Sequence, residues 1–146
     1  MFSIEEAAQL RKDFWLAFGK SFPRKWIKYN TQIKGFSFKF VANRKQAMVV
    51  LDIEHPDEMY NELIFEQLCS LQSILVNEYV SEVSFHNSYE LESGKTIKRL
   101  LVLFPEKFSI YNKNTWRSCF EFYVEQMEQF ELFFYEYEHY IKQAIQ

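Results

Sequence analysis

Two groups of residues in this 146-residue chain have types and spacings suited to chemistry. The first is Asp52-Ile53-Glu54-His55. In an extended strand, alternation places Asp52 and Glu54 on one side, opposite Val49, Leu51 and Ile53. Paired carboxylates can hold a hard cation such as magnesium, as metal-dependent nucleases do. Those enzymes want a lysine two residues after the glutamate to activate water, and Pro56 stands there. They also usually place three strands before the next helix, where the pattern here gives two. A degenerate nuclease site therefore competes with a solvated strand end that leads into a helix.

The second group is basic and aromatic. Lys20, Arg24, Lys25, Lys28 and Lys34 interleave with Phe22, Trp26, Tyr29 and Phe36. Cations neutralise phosphates and rings can stack on bases, so nucleic-acid binding is one reading. The other is that this surface faces acidic helices of the same chain or of a partner. Lys25, Trp26, Lys28 and Tyr29, with Asn112 and Lys113 from a later connection, are the candidate binding residues, since binding groups concentrate on loops.

A third arrangement is the polar face of a sheet, where Lys39, Asp52, Glu54, His86 and Lys98 would gather as a small-ligand groove or as solvated charge. His55, His86 and His139 lack metal-ligand spacing, and no glycine-rich phosphate loop, nucleophile elbow or CxxC pair occurs. No catalytic residue, metal or cofactor is expected. Cys69 and Cys119 both read as buried structural thiols.

The elements that must position these residues follow from periodicity. Ser3 and Glu6 form a capping box. Ile4, Ala7, Leu10, Phe14, Trp15 and Phe18 recur at helical spacing until Gly19, with Pro23 beyond. Phe36, Phe38 and Phe40 alternate with Ser37 and Lys39, and Met48 to Ile53 answers them across an Ala42–Lys45 turn. His55-Pro56-Asp57-Glu58 opens a second helix with Tyr60, Ile64, Leu68, Leu71 and Leu75 as its seam and Glu58, Glu62 and Glu66 as an acidic ridge. A second hairpin pairs Val83, Phe85, Tyr89 and Leu91 with Thr96 to Phe104. A long last helix, capped by Asn114 or Thr115 and ending near Ala144, carries Trp116, Phe120, Tyr123, Met127, Phe130, Phe134, Tyr137 and Ile141 at heptad-like steps. The expected fold is a single α+β domain over 1–146, in the order α-β-β-α-β-β-α, with a four-stranded, mainly antiparallel sheet packed by three helices.

Charge is uneven. Phe14 to Leu51 holds eight basic residues and no acidic one, whereas Asp52 onward holds seventeen acidic and seven basic. The start of the chain lacks signal-peptide blocks and no apolar run is long enough for a span, so a cytoplasmic location with no membrane partner is expected. Aromatic content is high, with sixteen Phe, nine Tyr and three Trp. In the last helix the extra stripe of Cys119, Phe122, Phe133 and Tyr140, with Leu132 and Tyr135, is either sandwiched in the domain or buries a dimer face.

Several strings resemble a bacterial domain-of-unknown-function family, number 4268. They are Glu5-Glu6-Ala7 with Gln9-Leu10-Arg11 and Phe14-Trp15, Phe18-Gly19, Trp26-Ile27-Lys28-Tyr29 with Thr31 and Ile33, His55-Pro56-Asp57-Glu58 with Phe65-Glu66-Gln67, and Tyr111-Asn112-Lys113-Asn114 with Trp116. The resemblance implies a nucleic-acid or defence context for longer relatives, in which a similar domain follows a nuclease-like region. It supplies no active-site residues. The reading that results is a non-enzymatic interaction or self-association module, acting as a dimer or on a protein partner. A nucleic-acid-binding accessory domain and a degenerate metal-dependent nuclease are the alternatives.

Overall fold

A computed structural model describes residues 2–146. Helix α1 (Ile4–Ser21) opens on the capping box: Ser3 Oγ accepts from the Glu6 N–H at 3.1 Å, and Glu6 accepts from the Ser3 N–H at 3.2 Å. Gly19 does not end it. No atom lies within 4 Å of where its Cβ would sit, so glycine there costs only helix propensity, and α1 runs on until Phe22 caps it before Pro23.

Strands β1 (Phe36–Ala42) and β2 (Ala47–Ile53) form the first hairpin. The Asn43 side chain accepts from the Lys45 and Gln46 N–H groups and so closes the turn. Helix α2 (Glu58–Ser70) is capped by Asp57, two residues later than the proline-first reading, and α3 (Gln72–Glu78) follows it. The second helix of the sequence reading is thus two. Leu71, at φ −97° and ψ 3°, kinks the path while Leu68, Leu71 and Leu75 all stay buried. Strands β3 (Ser84–Glu90) and β4 (Thr96–Leu103) form the second hairpin, and α4 (Trp116–Lys142) closes the chain after a short 3-10 turn at Lys113–Thr115.

The sheet is antiparallel throughout, in the order β1-β2-β4-β3. Register puts Phe36 opposite Ile53, Phe38 opposite Leu51 and Phe40 opposite Val49, and Leu51 opposite Leu100. These side chains make the helix-facing side, where Phe38 meets Phe130 and Phe134, Phe40 meets Phe18 and Tyr123, and Phe85 meets Phe65. Each buried ring contributes about 1.5–3 kcal/mol by leaving water, and its tilted or edge-on contacts add about 0.5–1.5 kcal/mol per pair. Met48, Val50 and Ile97 are also buried, but on the opposite side and outside that cluster.

One alternation fails. A register shift between His86 and Tyr89 places Tyr89 opposite Ile97, on the side away from Phe85. The seam of α4 packs as its spacing implies: Trp116, Phe120, Tyr123, Met127, Phe130, Phe134 and Ile141 are buried, as are Cys119 and Phe133 from the flanking stripe. Of the rest, Phe122 is half-buried, and Tyr140, Leu132 and Tyr135 are exposed. Among the described residues no helix is long and apolar enough to cross a membrane.

Candidate functional site

The connection from Phe22 to Gly35 has no regular structure, and its own chemistry holds it in place. Thr31, almost wholly buried, donates to the Phe36 carbonyl at 2.7 Å and accepts from the Ile33 N–H at 3.2 Å. Lys28 and Gln32 adopt positive φ, 40° and 64°. The Lys28 carbonyl accepts from the Phe38 N–H at 3.0 Å and the Ile33 carbonyl from the Phe36 N–H at 3.3 Å, so the connection covers the first half of the outer edge of β1. Its deepest anchor is Glu131 of α4, only 3% exposed, which accepts from the Ile27 N–H at 2.8 Å and from Arg24 at 2.6 Å. A buried carboxylate needs such partners, and here they fix a loop to a helix.

Lys25, Trp26, Lys28 and Tyr29 therefore sit on a fixed segment, and the structure brings them together. One depression of about 540 Å³ lies between α1, Arg24–Trp26 and Phe40. A second, of about 260 Å³, adjoins it and contains Tyr29 and Lys39; Trp15, Lys28 and Phe40 line both. Trp15 is 39% exposed, with its ring parallel to that of Tyr123 at 6.2 Å. Trp26 stands edge-on to Phe40 at 5.6 Å and is covered on one face by the Arg24 guanidinium at 4.3 Å. Tyr29 is 70% exposed. Neither depression is lined by an aspartate or a glutamate.

Arg24 is the one cation of this segment that faces the chain's own acids, through Glu128 and Glu131. Among the described residues, Lys20, Lys25, Lys28 and Lys34 join no ion pair. Asn112 and Lys113 lie elsewhere. Asn112 caps the 3-10 turn by accepting from the Asn114 N–H, and Lys113 lines a separate depression with Phe2, Leu10 and Asp13.

The carboxylates form a different kind of site. Asp52 and Glu54 do share a sheet face, and Asp52 is fully buried. Arg99 donates to it twice, Nε to Oδ1 at 2.6 Å and Nη2 to Oδ2 at 2.9 Å, and Lys39 Nζ lies 3.1 Å from Oδ2. Glu54 pairs with Lys39 and Lys95, each at 2.9 Å. Burial works against the charge of Glu54, but bonds from Lys39 and Lys95 outweigh it and hold the carboxyl below its ordinary 4.5. For Lys39, burial is likewise opposed and outweighed by bonds to Glu54 and Asp52, which raise it above 10.5. A metal ion would have to displace Arg99 from both Asp52 oxygens. Among the described residues, no group of three or more His, Cys, Asp and Glu is placed to hold one.

Of the polar-face set, Lys39, Asp52, Glu54 and His86 share one side with Arg99, whereas Lys98 pairs with Ile53 and faces the helices. Its Nζ bonds Asn87 Oδ1 at 2.7 Å and stands over the Phe65 ring. Lys98 lines a groove of about 430 Å³ at the end of β2 with Glu54, His55, Glu58 and Lys95, where opposite charges compensate one another. Cys119 is buried, which pushes its thiol up to about 12, while Cys69 is exposed, contrary to the reading of two buried thiols.

Sequence reasoning missed Trp15, Phe40, Glu131 and Arg99. Trp15 read as part of the buried stripe of α1, yet it lies one position off the Phe14–Phe18 line that enters the core. Ile4 is likewise outside the core, at 89% exposed.

Residues 10–138 match the model of the family described as Domain of unknown function (DUF4268). The chain belongs to this family. Most of the strings that carried the resemblance fall inside the matched segment, including the groove residues from Trp15 to Tyr29; Glu5-Glu6-Ala7 and Gln9 precede it. No curated protein and no solved structure matches the chain.

Proposed function

We propose that the chain is a non-enzymatic interaction module that captures an anionic partner in the groove framed by α1, the Phe22–Gly35 connection and β1. One observation carries this reading: a groove walled by aromatic rings and cations, with no carboxylate in its lining and with Lys25 and Lys28 unpaired. Lysines left without partners beside low-dielectric rings concentrate positive potential locally, even on a chain whose net charge is −3. The buried Glu131 anchor supplies preorganisation, which lowers the entropy cost of binding.

Retention on immobilised heparin, a generic polyanion, tests it. The whole chain is expected to be retained at low salt. Lys25→Glu with Lys28→Glu should flow through, while Lys12→Glu with Lys107→Glu, the same charge change on exposed residues elsewhere, should be retained. Equal elution of the two double variants would overturn the reading.

A specific observation favours a second reading, self-association. The ridge of Glu58, Glu62 and Glu66 on α2 is exposed beside Met59, Tyr60 and Leu63, a surface complementary in charge to the groove. A second copy would then be the anionic partner. Light scattering at low and high salt tests this: a dimer that Glu62→Lys dissociates supports it, and a monomer at all concentrations removes it.

A further inference from the structure

We infer that the occupant of the groove is single-stranded nucleic acid, bound with little regard to sequence; this rests on the groove being the binding surface. Two adjoining depressions, joined through Trp15, Lys28 and Phe40, match a ligand that repeats a flat face and a negative charge along a chain. Tyr29, with Lys39 Nζ 5.9 Å over one face, and Trp15, with Tyr123 parallel to one face, remain partly exposed and present the rings. Trp26 does not, because Arg24 already covers it, and it serves as a wall. Lys25 and Lys28 supply unpaired charge for phosphates.

The alternatives use less of this surface. A duplex hides its base faces, so it would engage the lysines and leave the rings idle. An acidic peptide brings charge but no flat faces for Tyr29. No Asn, Gln, Ser or Thr side chain lines either depression, and Arg24, the one fork-shaped donor, is held by Glu128 and Glu131. Base edges therefore meet no side-chain amide and no free guanidinium, and the neutral polar side-chain groups within reach of a ribose 2′-hydroxyl are the Tyr29 hydroxyl and the Trp15 and Trp26 indole N–H groups, which are not specific to it. Sequence tolerance and weak discrimination between DNA and RNA follow.

The test is fluorescence anisotropy of the full chain with labelled oligothymidylate and oligouridylate of about twelve nucleotides, a duplex of similar length and a polyglutamate of similar charge. Both single strands are expected to bind within a few-fold of each other and to quench tryptophan emission. Duplex and polyglutamate should bind at least about tenfold more weakly. Tyr29→Ala, at an exposed position where folding is spared, should weaken single-strand binding about 5- to 150-fold without changing its salt dependence. Lys25→Glu with Lys28→Glu should instead flatten the log–log salt slope by about 1.4.

Duplex binding as tight as single-strand binding overturns the inference, and so does a Tyr29→Ala variant that binds like wild type. Polyglutamate binding best removes the nucleic acid and leaves the groove. Failure of every probe, together with heparin retention that ignores Lys25 and Lys28, removes both readings.

Discussion

The Asp52–Arg99 pair offers a quantitative check on whether the acidic site is structural. Asp52 is fully buried, and its two oxygens accept from Arg99 at 2.6 and 2.9 Å. In Arg99→Met the carboxylate keeps only Lys39, at 3.1 Å, and stays out of reach of water. Stranding a buried charge in this way costs about 3–5 kcal/mol, a large share of the roughly 5–15 kcal/mol that holds a typical domain folded. For a chain of this length, that is a fall in melting temperature of roughly 6–20 °C. Asp52→Leu with Arg99→Met removes both charges and leaves Lys39 its bond to Glu54. It should recover about 2–4 kcal/mol relative to Arg99→Met alone. Urea unfolding of wild type, both single variants and the double measures the coupling directly. An Arg99→Met cost under about 1 kcal/mol, or single costs that simply add in the double, would refute the account of this pair.

Other outcomes follow from the same structure. Gly35 has φ +70°, and a Cβ there would meet the His55 backbone at 2.5 Å, so Gly35→Ala should destabilise by at least about 2 kcal/mol in the same urea assay. Cys69 should react with a thiol reagent in the native protein, while Cys119 reacts only on unfolding; equal rates would contradict the burial assigned to them. The depressed Glu54 carboxyl contributes stability that is complete above about pH 4.5 and is lost as pH falls through its lower folded value. Lys39, raised above 10.5, contributes stability that is complete below that value and is lost as pH climbs through the folded one. Glu54→Gln should flatten the acid limb of the unfolding profile, and an unchanged limb would place the acid sensitivity elsewhere.

Much of the fold is legible because it rests on local periodicity. The Phe36-Phe38-Phe40 alternation and the stepped rings from Trp116 to Ile141 each need only one element's geometry, and both pack as written. The kink at Leu71 is hidden because the apolar seam continues through it without a break. The shift between His86 and Tyr89 is hidden because all seven residues from Ser84 to Glu90 are polar or aromatic and satisfy either phase. The site depends on pairings distant in sequence. Asp52 meets Arg99 rather than a metal only because of how β2 and β4 are registered. Glu131 is one more glutamate on a helix until Ile27 and Arg24 are folded against it. The basic and aromatic character of Lys25, Trp26, Lys28 and Tyr29 is plain in the sequence, whereas the absence of acids from the lining of their groove is not. Asn112 and Lys113 looked equivalent to them and were separated by the tertiary fold.

The decisive fact is where a polyanion touches the molecule. Titrating isotope-labelled protein with a short heparin fragment and following backbone amide and tryptophan indole resonances locates that contact residue by residue. Binding in the groove requires the shifts to cluster on Trp15, Lys25, Trp26, Lys28 and Tyr29. Shifts confined to the other basic end of the molecule, around Arg11, Arg44 and Lys45, would contradict it.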